Sequence, residues 1–271
     1  MTARRLPAKH LPKALLGLVM ERRLTERHSP ETVSVSSAWD VWWACYRAAL
    51  SVDQLGVQVT RPGIGCADCD RDAVALATES PPRHPDAVGC RPCNCLLAWA
   101  IRMRGPAAPA QWPSTRLTLA LLKPGAPHTR IRAELERTHE VLTVIDTVLT
   151  TDDTRRLYPE AYGADYVGAR DAYLTGSPVQ SFVLHARWER SAPAKQIKAT
   201  IRQILGADEL RNHLHMPDNP GEAFADIAHF AGPDTLTDLY GRYEHDRSAE
   251  RMAFYRTALG ISRPDAHRSS A

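Results

Sequence analysis

Between residues 117 and 230 the spacing of apolar positions changes repeatedly, and each change marks an element. Leu117-Thr-Leu-Ala-Leu-Leu122 is an apolar run of strand length, closed by Lys123-Pro124-Gly125. A helical pattern follows through Ile131 and Leu135. Residues 140–149 alternate as a half-buried strand does. Thr151, Asp152 and Asp153 offer caps for a short helix over 154–158, which Pro159 would end. A helix over 163–175, a strand over 181–188 and a helix over 192–205 come next, with Pro193 suited to a first turn. Residues 213–216 form a short fourth strand before a helix over 222–230. The order βα, βαα, βα, βα predicts an α/β fold in which helices cover a small sheet.

The flanks are patterned differently. Residues 1–105 hold all six cysteines and four of the six tryptophans, Trp39, Trp42, Trp43 and Trp99. Near the start, Ala14-Leu-Leu-Gly-Leu-Val-Met20 is too short for a bilayer and is followed at once by Glu21-Arg-Arg, so it reads as a short amphipathic helix. A Pro/Ala-rich stretch over 106–114 reads as a linker. Residues 234–271 suggest one amphipathic helix through Tyr240, Tyr243, Phe254, Tyr255 and Leu259, with a disordered polar tail. No membrane segment or cleavage site is evident, which points to a soluble cytoplasmic protein.

Composition refines this only in part. With 271 residues and 44% hydrophobic content there is material for a real core, and a net charge of +3 is too small to argue for nucleic-acid binding by itself. Basic residues are nearly all arginine; lysine occurs only at Lys9, Lys13, Lys123, Lys195 and Lys198. Cys66-Ala-Asp-Cys69 and Cys90-Arg-Pro-Cys93 have the spacing of two knuckles that offer four thiolates to one structural Zn²⁺. The segment 89–97 resembles the end of endonuclease VII-type HNH nucleases. The Asp-His-rich strand that supplies that family's metal and base is missing here, so the module is expected to serve structure or nucleic-acid contact.

The middle of the chain, about 115–233, resembles the nucleoside diphosphate kinases. Leu119-Ala-Leu-Leu-Lys-Pro-Gly125 is similar to that family's opening strand and turn, and 152–158 to its helix ending in His-Tyr. Tyr173-Leu-Thr-Gly-Ser-Pro-Val179 and Ile201-Arg-Gln-Ile-Leu-Gly206 match two further segments. Arg211-Asn-His-Leu-His-Met-Pro-Asp218, followed by Glu222-Ala-Phe-Ala-Asp-Ile-Ala228, resembles the segment that carries the phosphate-accepting histidine.

The resemblance implies a ferredoxin-like α/β sandwich of the nucleoside diphosphate kinase type, preceded by a small helical zinc-binding domain (1–105) and a linker (106–114). The kinase-like domain would span 115–233 and the C-terminal helix and tail 234–271. It implies transfer of a γ-phosphate through a phosphohistidine at His215, with Mg²⁺ on the nucleotide. Lys123 would sit by the transferring phosphate and ribose, and Tyr158 would help position that phosphate. Arg202 and Arg211 would hold nucleotide phosphates, Asn212 the sugar, and Asp226 would orient the histidine ring. His213, two residues from His215, would share its strand face.

Departures from the family pattern are specific. Only four residues separate Gly206 from Arg211, where the family has its Kpn loop; a monomer or dimer is therefore expected instead of a hexamer. One phosphate arginine falls on Ala164, with Arg170 the nearest substitute; Asp208, Pro217 and Gly125 replace a threonine, a serine and an aspartate. These changes suit a divergent phosphotransferase, or alternatively a non-catalytic protein that senses nucleotides or binds nucleic acid.

Overall fold

The computed structural model describes residues 11–25, 112–158, 165–188, 194–206, 208 and 210–259. Cys66, Cys69, Cys90 and Cys93, the tryptophans at 39–43, most of the linker and the tail lie outside them. The described residues form a mixed α/β structure around one four-stranded sheet. In order they are α1 (Leu11–Thr25), β1 (Leu117–Leu122), α2 (His128–Glu136), β2 (His139–Thr147), α3 (Thr151–Leu157), α4 (Val167–Thr175), β3 (Val179–Ala186), α5 (Ala194–Leu205), β4 (Leu214–His215), α6 (Pro220–Ala231), α7 (Pro233–Tyr243) and α8 (Ser248–Leu259).

The strand order is β2-β3-β1-β4, and every ladder is antiparallel. β1 is interior, with all six residues buried, which explains its uninterrupted apolar run. Ala120 and Leu122 pack with Ile131 of α2 and Ile197 and Ile201 of α5. Leu117, Leu119 and Leu121 belong to a second cluster with Phe224 and Ile227 of α6. β2 lies at an edge, and its alternation of half-buried and exposed positions is the pattern that was legible.

Local chemistry sets the boundaries. The cap of α3 is Thr150, one residue before the expected candidates: its side chain accepts from Asp153 N–H while Asp153 accepts from Thr150 N–H, a reciprocal capping box. Asn219 caps α6, with Pro220 in the first turn. Gly232, at φ 93, turns the chain directly into α7.

The C-terminal stretch is not one helix. Between α7 and α8 lies a 3₁₀ turn, His245–Arg247, and the break has an electrostatic cause. The Glu244 carboxylate reaches back to accept from the backbone N–H groups of Arg116 and Leu117, where β1 begins, and from Thr115 Oγ1. Its other oxygen accepts from Arg251 of α8 at 2.6 Å. Arg251 also donates to Glu21 of α1, which in turn accepts from the Tyr240 hydroxyl. Glu21, Glu244, Tyr240 and Arg251 are all fully buried, so each charge has to be met inside the protein.

α1 therefore packs on the helices that cover the sheet. Its buried Ala14, Leu16, Leu18, Met20 and Leu24 join the cluster containing Phe224, Tyr240 and Tyr255. The buried positions span a broad arc, wider than a surface helix presents. Where α1 crosses α6 the backbones touch: a Cβ on Gly221 would lie 2.8 Å from the Gly17 Cα. No helix among the described residues is long and apolar enough to cross a membrane.

Candidate functional site

The site forms where β1 ends beside the two-residue β4. Leu121 pairs with His215 and Leu122 with Leu214, so Lys123, the next residue of β1, comes level with the segment before β4. The turn after β1 is built from Pro124 and Gly125 (φ 72), closed by Ala126 N–H on the Lys123 carbonyl. Those are the residues a type II turn requires. The Tyr173 hydroxyl of α4 donates to the Pro124 carbonyl at 2.6 Å and fixes the turn.

On the facing segment, Leu214 N–H bonds the Asn212 carbonyl at 2.8 Å, closing a three-residue turn centred on His213 at φ 62. A positive φ at a side chain with a Cβ is strained backbone, held here because Lys123 N–H bonds the His213 carbonyl at 2.9 Å. This corrects the expected geometry of the two histidines. His213 lies outside the strand, so the two-residue alternation that would put it on the His215 face does not operate.

His215 is buried and its Nε2 lies 3.0 Å from Asp226 Oδ2 of α6. Its ring meets the Tyr158 ring edge-on, with centroids 5.1 Å apart. Tyr158 ends α3 and carries two cations near its ring: Lys123 Nζ at 5.4 Å and the Arg170 guanidinium carbon at 5.0 Å. Lys123 Nζ also donates to Asn212 Oδ1 at 2.8 Å.

Of the expected residues, His215, Asp226, Lys123, Tyr158 and Asn212 come together. Arg202 stands beside them but donates both Nε and Nη2 to the Leu214 carbonyl, at 3.0 and 2.6 Å. Arg211 does not join the cluster; its exposed side chain pairs with Asp208, 3.6 Å away. Arg170, singled out only by proximity, is buried, bonded to Asp171, and has Nη1 without a partner among the described residues. Lys198 was not singled out. It bridges the Met216 carbonyl and the Asp218 carboxylate, immediately after His215. The signal was available, since it is one of five lysines in an arginine-rich chain.

Crowding these cations has consequences. Burial, then Arg202, Arg170 and Lys198, pulls the Lys123 ammonium down to about 7. Burial, then Lys198 and Lys123, holds the His215 imidazolium down to about 3, so the ring is neutral at physiological pH. Burial and the neighbouring Glu222 push Asp226 well above the usual carboxylate range. His215 and Asp226 thus share protons as a pair. In the singly protonated form, Nε2–H donates to Asp226 and Nδ1 carries a lone pair, which is a nucleophilic imidazole surrounded by positive charge.

Among the described residues no group of three or more His, Cys, Asp or Glu side chains could hold a metal ion.

No protein-family model matches the chain. It is 18% identical to Aquifex aeolicus nucleoside diphosphate kinase in an orthorhombic crystal form, with a TM-score of 0.34, over 42% of this chain and 94% of that one. It is 33% identical over 115 residues to the nucleoside diphosphate kinase of Cutibacterium acnes, which takes in 37% of this chain and 83% of that protein. A third of positions shared across most of that protein's length is a relation between whole domains, and the chain belongs to the nucleoside diphosphate kinase family.

Proposed function

We propose that this chain is a divergent phosphotransferase that takes the γ-phosphate of a nucleoside triphosphate onto His215 and passes it to a diphosphate acceptor. The observation that carries the reading is the setting of one imidazole: Nε2 is held by Asp226 at 3.0 Å, and the ring lies edge-on to Tyr158, over whose own ring Lys123 stands. The strand order β2-β3-β1-β4 supports treating residues 115–233 as a ferredoxin-like α/β sandwich.

In the first half-reaction the Nδ1 lone pair attacks the γ-phosphorus, and the bond to the β-phosphate oxygen breaks. The nucleoside diphosphate leaves with that electron pair. The Nε2 proton stays on the ring, where Asp226 balances the positive charge of the phosphorylated imidazole. In the second half-reaction a terminal oxygen of the acceptor diphosphate attacks phosphorus, and the N–P bond returns its electrons to Nδ1. Lys123 and Arg170 meet negative charge on the transferring oxygens, and Tyr158 aligns both cations. Arg202 holds the Leu214 carbonyl, and with it the nucleophile; it contacts phosphate through the rest of its guanidinium. Asn212, already bonded to Lys123, is placed to share that lysine with a ribose hydroxyl. Mg²⁺ bound with the nucleotide would supply charge neutralisation at its phosphates.

The test is covalent labelling by γ-labelled ATP. Wild type should carry an acid-labile, base-stable label, His215→Ala none, and His213→Ala much of it. A folded wild type that takes no label from any nucleoside triphosphate would overturn the reading.

A further inference from the structure

Helix α1 lies more than ninety residues before the kinase-like segment, yet it reaches the helix that carries Asp226. Lys13 Nζ stands 2.8 Å from Glu222 Oε1, and both side chains are largely buried. Gly17 touches Gly221 backbone to backbone one residue away. Glu222 in turn accepts from Asp218 N–H at 3.1 Å with its other oxygen, and its own N–H is capped by Asn219. Glu222 is thus tied both to α1 and to the loop that leaves His215.

Glu222 and Asp226 are four residues apart on α6, so they share one face of the helix, one turn apart. Like charges at that spacing repel, and here Asp226 is buried and Glu222 half-buried, so screening is weak. The groups facing the His215–Asp226 pair are then Tyr158 from α3, Lys198 and Arg202 from α5, Lys123 from the β1 turn, and Glu222 and His229 from α6 itself. Of these only Glu222 is negative. It has a cation of its own, and that cation comes from α1.

We propose that Lys13 is a positioning residue for the nucleophile: its ion pair holds the Glu222 carboxylate against α1, turned from the His215–Asp226 pair. The proposal rests on the reading of His215 as nucleophile, but its consequence is a property of the free protein. Without Lys13 the Glu222 carboxylate is released toward the pair, and the pair takes up its second proton at higher pH. That proton closes the nucleophilic form, because Nε2 can then serve as acceptor for the Asp226 carboxyl while Nδ1 holds the hydrogen.

The experiment is a ¹⁵N-histidine NMR titration of the full chain without nucleotide, with the His215 signals assigned by their loss in His215→Asn. Lys13→Met should raise the pH at which the pair takes its second proton by about one unit, and Lys13→Arg should stay close to wild type. Glu222→Gln should lower that pH, and in its background Lys13→Met should have no effect. Lys13→Met without a shift, or with the same shift in the Glu222→Gln background, overturns the proposal. If Lys13→Met does not fold, Lys13→Gln takes its place in both backgrounds, with the same outcomes deciding. A chain that shows these shifts but takes no label from γ-labelled ATP leaves the positioning role standing and removes the phosphotransfer reading.

Discussion

Two buried groups of charge in this molecule are built on opposite plans. In the layer of α1, α7 and α8, one guanidinium, Arg251, is met by two carboxylates, Glu21 and Glu244, and the surplus negative charge is absorbed by the Tyr240 hydroxyl, Thr115 and the first N–H groups of β1. Around His215 the cations come first. Lys123 bonds a neutral amide and Arg202 a neutral carbonyl, so their charge is not neutralised by the groups they touch. A closed network secures a fold; an open surplus of positive charge attracts a phosphate. What distinguishes a structural from a functional cluster is how completely each charge is answered, more than how deeply it is buried.

The comparison breaks hardest at Arg251. Arg251→Met leaves two carboxylates buried without their cation, and chemical denaturation should show a loss of about 3–5 kcal/mol. Labelling by γ-labelled ATP below the melting point should change little, since Arg251 does not touch the site. Lys123→Met should do the reverse: labelling slows about 10²–10³-fold, while stability is unchanged or improved.

The pH dependence of Lys123 sharpens the contrast. When folded it loses its proton near 7, against an ordinary 10.5 when unfolded. Between those values the unfolded chain binds more protons, so this group makes stability rise with pH across the window. Labelling at limiting nucleotide should fall as pH passes upward through about 7, because the free protein then loses the ammonium. Both slopes should vanish in Lys123→Met; a wild type whose stability and labelling change in the same direction would contradict the assignment.

The smallest effect concerns neither cluster. Thr150→Ala removes one side of the capping box that starts α3, the helix ending at Tyr158. It should cost about 1 kcal/mol by denaturation, with a modest drop in labelling if Tyr158 shifts.

Much of the candidate site was legible through the family resemblance, because the motifs that carry it are contiguous stretches of chain. An apolar run ending in Lys-Pro-Gly sets Lys123 at the tip of β1, and the eleven residues from His215 to Asp226 carry the bond between β4 and α6. The structure departs from the pattern where a partner is far away. Nothing beside Glu244 announces that it serves the backbone of residues 116 and 117, so an apolar periodicity that continues through 234–259 reads as one helix. Likewise the buried arc of α1 is set by α6 and α8, which no local periodicity contains. The left-handed backbone at His213 escaped for the opposite reason: it is too local, one residue deep, and alternation assumes it away.

The bond between Glu21 and Arg251 joins residues 230 apart in the chain, and this bears on how the protein is made. At a synthesis rate of about 5–20 residues per second, α1 leaves the ribosome roughly 10–50 seconds before α8 exists to receive it. For most of that interval Leu16, Leu18, Met20 and Leu24, all buried in the finished protein, have neither α6 nor α8 beside them. The nascent chain therefore carries these apolar residues and the Glu21 carboxylate through most of its own translation before the elements that bury them in the finished fold exist.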